Sequence, residues 1–294
     1  MADTNTIYSQ QYGAALGLLA QQKPSRFASA VETMSVTGET AWYDAVGSTA
    51  AQQIVGRNGD TPNNEVTHQR TRIDLIGYDT GGMLDSIDAL RTLHDPKSRY
   101  VEAANAAMNR AKDTVIINAM YAAALRGQAG GTSTSFPAAN QVAVNSWAYG
   151  FGAGNVGLTV SKLIEARQLL MAGEVDMDEE IYIAVSSKQH ANLLATTEVT
   201  SGDYNSSLTL VDGKIEQFMG LRFIHSERLL TDSNSYRRVP VWQKSGIVMG
   251  VGADIMAKVS ERADKKYNWQ YYLKMFLGAS RVEEAKVIEI KCSE

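Results

Sequence analysis

The chain has 294 residues, about twice a common domain length, so one large domain or two closely joined ones is expected. Hydrophobic residues make up 44% and charged ones 20%, a balance that supports a real core and excludes disorder over most of the length. The net charge is −4, from 28 Lys and Arg against 32 Asp and Glu with no run of five like charges, which argues against a tight binder of nucleic acid or anionic membranes.

One cysteine, Cys292, excludes an internal disulfide and a thiolate-rich zinc site. The opening Met1-Ala-Asp-Thr4 has no basic segment, and the apolar run Ala14 to Ala20 is far shorter than a spanning helix. Folding in a cytoplasm, with no membrane anchor, is the expectation.

The first thirty-odd residues read as an arm. Tyr12, Leu16 and Leu19 share a helical face before the break at Gln21-Gln-Lys-Pro24, and one short amphipathic helix must pack on something else. Residues 36 to 76 read as a long β-hairpin, Thr40 to Val46 going out and Glu65 to Ile76 returning, with the turn cluster Gly56 to Asn64 between. The return strand is polar on both faces until its last residues, so it is expected to project from the body.

A short helix is expected over Met83 to Leu93. A helix of about thirty residues follows, opened by Asp95 and Pro96 and closed by Gly127. Its apolar stripe is Val101, Ala104, Met108, Ala111, Val115, Ala119, Ala122 and Leu125. Residues 128 to 157 read as irregular or weakly stranded.

Helix Leu158 to Ala172, an acidic turn Asp176 to Glu180, strand Ile181 to Val185 and helix Ser187 to Ala195 come next. Six strands are expected in the last hundred residues: Gly220 to Ser226, Arg238 to Gln243, Ile247 to Val251, Ile255 to Arg262, Tyr267 to Leu277 and Lys286 to Lys291. Helices and strands mix without a βαβ rhythm, so the fold class is α+β.

Little in the chain points to chemistry. Gly152-Ala-Gly154-Asn-Val-Gly157 matches a dinucleotide fingerprint in letters, but Asn145 to Phe151 before it is not a buried strand, and Ser186 stands where a ribose-binding acid belongs. His68, His94, His190 and His225 are isolated, and Asp176 to Glu180 lacks the glycine and distal glutamate of a calcium loop. No catalytic, cofactor or metal residue is expected.

Certain stretches carry a resemblance: Gln21 to Arg26, Val36-Thr-Gly-Glu39 with Trp42-Tyr-Asp44, His94 to Tyr100 with Asn109 to Asp113, Ile181 to Ser187 with Gln189-His190, Gly202 to Asn205, Gly220 to Ile224 and Leu277 to Ile290. In this order they resemble tailed-bacteriophage major capsid proteins of the Hong Kong 97-type capsid fold, over nearly the whole chain. The resemblance implies an N-terminal arm over 1–35 and an extended loop over 36–78. It implies a peripheral domain over 79–129 with a spine helix at 96–126, completed by C-terminal strands over 251–294, and an axial domain over 130–250.

The implied function is self-assembly as pentamers and hexamers into an icosahedral head around double-stranded DNA, in a virion assembled in the host cytoplasm. Implied partners are other copies of the chain, a separate scaffolding protein (the arm begins almost at Met1), a portal protein, decoration proteins and packaged DNA bound without sequence preference. No lysine lies between Lys23 and Lys97, so the loop-lysine cross-link of some relatives has no donor here. Arg57, Arg70 and Arg72 are expected to pair with Glu283 or Glu284 of an adjacent subunit. Two other readings are a shell protein of a cellular compartment and a nucleotide-binding enzyme.

Overall fold

The computed structural model describes residues 19, 21–54, 63–84, 97–147, 149, 154–196 and 215–294. The short helix expected at Met83–Leu93 lies largely outside these residues, as do Tyr12, Leu16, Arg57, His94, Asp95, Pro96, Gly152 and Gly202 to Asn205. The chain divides into two compact units: Met1–Ser25 with Gly77–Lys112 and Ala253–Phe276, and Arg26–Ile76 with Asp113–Gly252 and Leu277–Glu294.

The larger unit is organised by a six-stranded sheet ordered β7-β14-β11-β8-β10-β9. Its strands are β7 (Gln141–Val142), β8 (Ile181–Val185), β9 (Gln217–Phe218), β10 (Leu221–His225), β11 (Arg237–Gln243) and β14 (Val287–Cys292). All five residues of β8 are buried, as an apolar run without alternation requires. β8 pairs parallel with β10 in the register Ile181↔Leu221 and antiparallel with β11 at Ile183↔Val241. Between this parallel pair the described chain holds the helix Ser187–Leu194 and β9, a crossover that does not extend into a βαβ rhythm.

Helix α2 (Val160–Ala172) starts at Thr159, whose hydroxyl accepts from the Lys162 N–H, and buries Leu163, Ala166 and Leu170. Helix α3 (Ser187–Leu194) carries a capping box between Ser186 and Gln189. Trp242 centres the core, stacked on Phe27 at 5.7 Å and Tyr182 at 5.9 Å, with its indole N–H donated to the Ala30 carbonyl at 2.9 Å.

A second sheet in this unit is ordered β2-β3-β5-β6, from β2 (Thr40–Val46), β3 (His68–Asp74), β5 (Ala124–Arg126) and β6 (Thr132–Thr134). The expected hairpin is present, with Thr40 opposite Asp74 and Val46 opposite His68. Its return strand is exposed or half-exposed up to Arg70 and is anchored only at its last residues. Thr71, Ile73 and Leu75 are buried, and β5 pairs alongside at Thr71↔Arg126. The short apolar end at its last residues suffices as an anchor because a second strand covers it. A Cβ on Gly278 would lie 2.0 Å from the Asp74 carbonyl oxygen, so the two backbones meet only because residue 278 is glycine.

The long helix α1 covers Lys97–Tyr121, and β5 follows at Ala124, where the sequence predicted helix to Arg126. Ala122 and Ala123 are good helix formers, so propensity alone runs on. Fully buried Arg281 decides otherwise. Its Nη1 donates to the Met120 carbonyl at 2.9 Å and the Ala122 carbonyl at 3.1 Å, and its Nη2 to that of Thr134 at 3.4 Å. These bonds satisfy carbonyls that a helix end leaves free. Within the larger unit α1 buries Ile116, Ile117 and Met120, none of which lay on the predicted stripe.

In the smaller unit α1 buries Ala104, Ala106 and Met108, and Tyr100 stacks on Tyr271 at 6.2 Å. Two long strands, β12 (Ile247–Arg262) and β13 (Asn268–Arg281), belong to both units. β12 joins the two segments predicted on either side of Gly252, since a glycine pair weakens a strand without ending it. In the larger unit β1 (Glu32–Ser35) runs parallel to β12 from Glu32↔Val248 to Ser35↔Val251. In the smaller unit β13 is flanked by β4 (Ile76–Leu84). Met83 and Leu84 are therefore strand rather than the start of a helix.

Candidate assembly surfaces

At the base of the extended hairpin, cross-strand charges pair within the chain. Arg70 Nε and Nη2 donate to both carboxylate oxygens of Asp44, at 2.6 and 2.8 Å, and the guanidinium lies 5.6 Å from the Trp42 ring centre. Arg70 holds the Asp44 carboxyl below its ordinary range. Arg72 lies 2.9 Å from Asp74 on its own strand. Toward the tip the apolar side chains Val46 and Ile54 are 68% and 88% exposed.

The segment after β13 lies beside this hairpin. Gln69 and Arg126 both donate to the Val282 carbonyl, at 2.8 and 2.9 Å. Glu284 faces two arginines, Arg126 at 2.5 Å and Arg281 at 3.8 Å, while Glu283 lies 3.0 Å from Lys286. Four of the five residues expected at subunit contacts are thus described, and each has a partner in its own chain. The β2–β3 register supplies Asp44 opposite Arg70, the two-residue strand period puts Asp74 on the face of Arg72, and Lys286 is three residues from Glu283; only Arg126 lies far from its partner in sequence.

The smaller unit presents a second surface. Along β12 from Asp254 to Glu261 only Ile255 is partly covered, and Met256 and Val259 are exposed. The β12–β13 connection turns through Lys266 and Tyr267, both left-handed with φ of 55° and 57°, and Tyr267 is 66% exposed. Arg262 clasps Asp264 beside the turn at 2.9 and 2.6 Å. On β4 and β13, Tyr272 donates to Asp79 at 3.2 Å. An open groove of about 630 Å³ in this unit is lined by Val101, Glu102, Asn105, Lys112, Asp254 and Leu273 among others, and Lys112 bonds Asp254 across it at 2.8 Å.

Reactive groups elsewhere are committed to structure. Among the described residues no group of three or more His, Cys, Asp or Glu side chains is placed to hold a metal ion. Burial pushes the Cys292 thiol up to about 12, and the buried Lys162 ammonium donates to the carbonyls of Val156 and Lys291 at 2.9 and 2.7 Å. Gly157 of the fingerprint serves packing, because a Cβ there would lie 1.9 Å from the Asn192 amide. The acidic turn folds on itself, with the Asp178 N–H donated to the Asp176 carboxylate at 2.9 Å. No described helix is long and apolar enough to cross a membrane.

A family model described as phage capsid protein matches residues 4–294. The capsid of cyanophage P-SCSP1u matches with a TM-score of 0.76 at 13% identity, over 99% of this chain and 94% of that one. The capsid of cyanophage Pam1 matches at 0.75 and 12%, over 100% and 99%. That of Ralstonia phage GP4 matches at 0.73 and 11%, over 99% and 97%. At these identities the likeness establishes the fold, the α+β Hong Kong 97-type capsid fold. No curated protein matches.

Proposed function

Because the chain belongs to the phage capsid protein family, we propose that its copies assemble as pentamers and hexamers into an icosahedral head enclosing double-stranded DNA. It is a capsid shell protein, a structural component of the virion. The observation that carries the assembly reading is the run of exposed residues on β12 and the neighbouring turn, with Met256, Val259 and Tyr267 open to solvent. Apolar groups on a strand ribbon gain little in water and gain burial when another copy covers them. Weak contacts made at once by a closed lattice multiply, and cyclic closure avoids open filaments.

In this reading residues 1–35 are the arm, 36–78 the extended loop, 79–129 and 251–294 the peripheral domain, and 130–250 the axial domain. A scaffolding protein, a portal protein and decoration proteins are the further partners, assembly takes place in the host cytoplasm, and DNA is held without sequence preference. Arg57, Arg70 and Arg72 reach acidic groups of the adjacent subunit. For Arg70 and Arg72 this means exchanging Asp44 and Asp74 for a neighbour's carboxylate, and Glu283, paired among the described residues with one lysine, Lys286, suits the exchange better than Glu284 between two arginines.

Analysis of particles purified from phage-producing cells tests the reading. Nuclease-protected double-stranded DNA inside shells of this chain is the expected content. Shells filled with an enzyme and free of DNA would replace a phage head by a cellular compartment.

A further inference from the structure

The arm joins the larger unit at Arg26-Phe27. Phe27 is buried against Trp242, and the backbone N–H groups of Arg26 and Phe27 donate to the Asp113 carboxylate of α1 at 3.1 to 3.3 Å. The Arg26 side chain turns to the end of β10. Its Nη1 lies 3.0 Å from His225 Nδ1 and also donates to the His225 carbonyl. On the far side of the ring, Nε2 lies 3.0 Å from Glu227 Oε1, which accepts the Ser187 N–H at 2.7 Å.

These contacts fix the state of the ring. A guanidinium has only donors, so Nδ1 must offer its lone pair and Nε2 must carry the proton that meets Glu227. A second proton would turn the acceptor into a donor facing a donor and set two cations against each other. The bond to Glu227 would gain strength at the same time. The other groups near the ring do not replace Arg26. His190 of α3 accepts the Ile215 N–H through its Nε2, and Asp113 holds backbone N–H groups.

We propose that His225 is a proton-sensitive latch on the root of the arm: neutral, it holds Arg26 by ring and carbonyl; protonated, it gives up the ring bond, leaves Arg26 the carbonyl alone and keeps Glu227. A capsid subunit gains by it a way to loosen its arm without unfolding its core.

Trypsin reads the latch directly, because its specificity pocket must take the same guanidinium. Lys23 precedes Pro24, so Arg26-Phe27 is the cleavable bond nearest the N-terminus of the full chain. Rates are divided by those for a free peptide spanning residues 21–31, to remove the enzyme's own pH dependence. The expected result is cleavage at least about fivefold faster at pH 5.5 than at pH 8, the ratio that the loss of one such bond gives. His225→Asn, whose amide oxygen accepts from Arg26 at any pH, should bring the ratio close to one, and His225→Lys should be cut fast at both. Equal ratios in the parent and His225→Asn would overturn the proposal. So would nitrogen NMR placing the ring proton on Nδ1 at pH 8, a measurement that needs no variant.

Discussion

Strands β8 and β12 differ in how they are finished. β8 is buried from end to end between its neighbours and the helices above it. The second half of β12, in the smaller unit, keeps Met256 and Val259 in solvent and ends in a turn where Tyr267 is exposed. The centre of the six-stranded sheet buries its apolar residues within one chain, whereas the ribbon of the smaller unit, like the hairpin tip at Val46 and Ile54, leaves apolar strand surface uncovered. Stability is therefore concentrated in the six-stranded sheet, and the ribbon is free to serve contacts between copies.

The sharpest way to break this contrast is at Arg281. Arg281→Ala removes the donor to three carbonyls and leaves Glu284 half paired, and should cost about 3–5 kcal/mol in denaturant unfolding. A similar test compares truncations of matched size. Leu163→Ala or Ile183→Ala should cost about 2–5 kcal/mol, whereas Met256→Ala or Val259→Ala should stay within about 0.5 kcal/mol yet lower the yield of shells. If the ribbon substitutions unfold single chains as readily as the core ones, the contrast is lost.

Acid sharpens it further. Arg237, Gln189 and Ser186 hold the Glu294 carboxylate, pulling it from 4.5 to about 2. A depressed acid contributes stability that is complete above pH 4.5 and is lost as pH falls toward 2. Glu294→Gln should therefore have a lower urea midpoint than the parent at pH 6, the gap narrowing steadily as pH falls through about 2. The smallest effect on single chains is expected for Arg70→Ala with Arg72→Ala, whose pairs are solvent-screened. Shells of that variant should lose heat and salt resistance; shells matching the parent would remove the arginines from the subunit contact.

Much of the fold was legible where local rules agree with burial. Ile181 to Val185 is a strand as its apolar run requires, α3 begins at Ser187 as expected, and α2 begins at Val160, two residues after the expected Leu158. Misreadings arose where distant residues decide. Arg281, some 160 positions away, ends α1 ahead of Ala122-Ala123, and β5 covers Thr71 and Ile73 on a strand whose letters look solvated. The arginines of the hairpin were visible as candidates, and Asp74 shares a strand face with Arg72 two residues away, but Asp44 meets Arg70 only through the strand register. The Arg26–His225–Glu227 relay joins residues about 200 apart and gave no signal in one dimension.

Negative-stain electron microscopy of the purified chain, expressed with and without a candidate scaffolding protein, tests the central claim most directly. Closed particles of uniform diameter with pentameric and hexameric clusters are predicted. Single compact chains under every condition, with β12 no better covered than here, would contradict it.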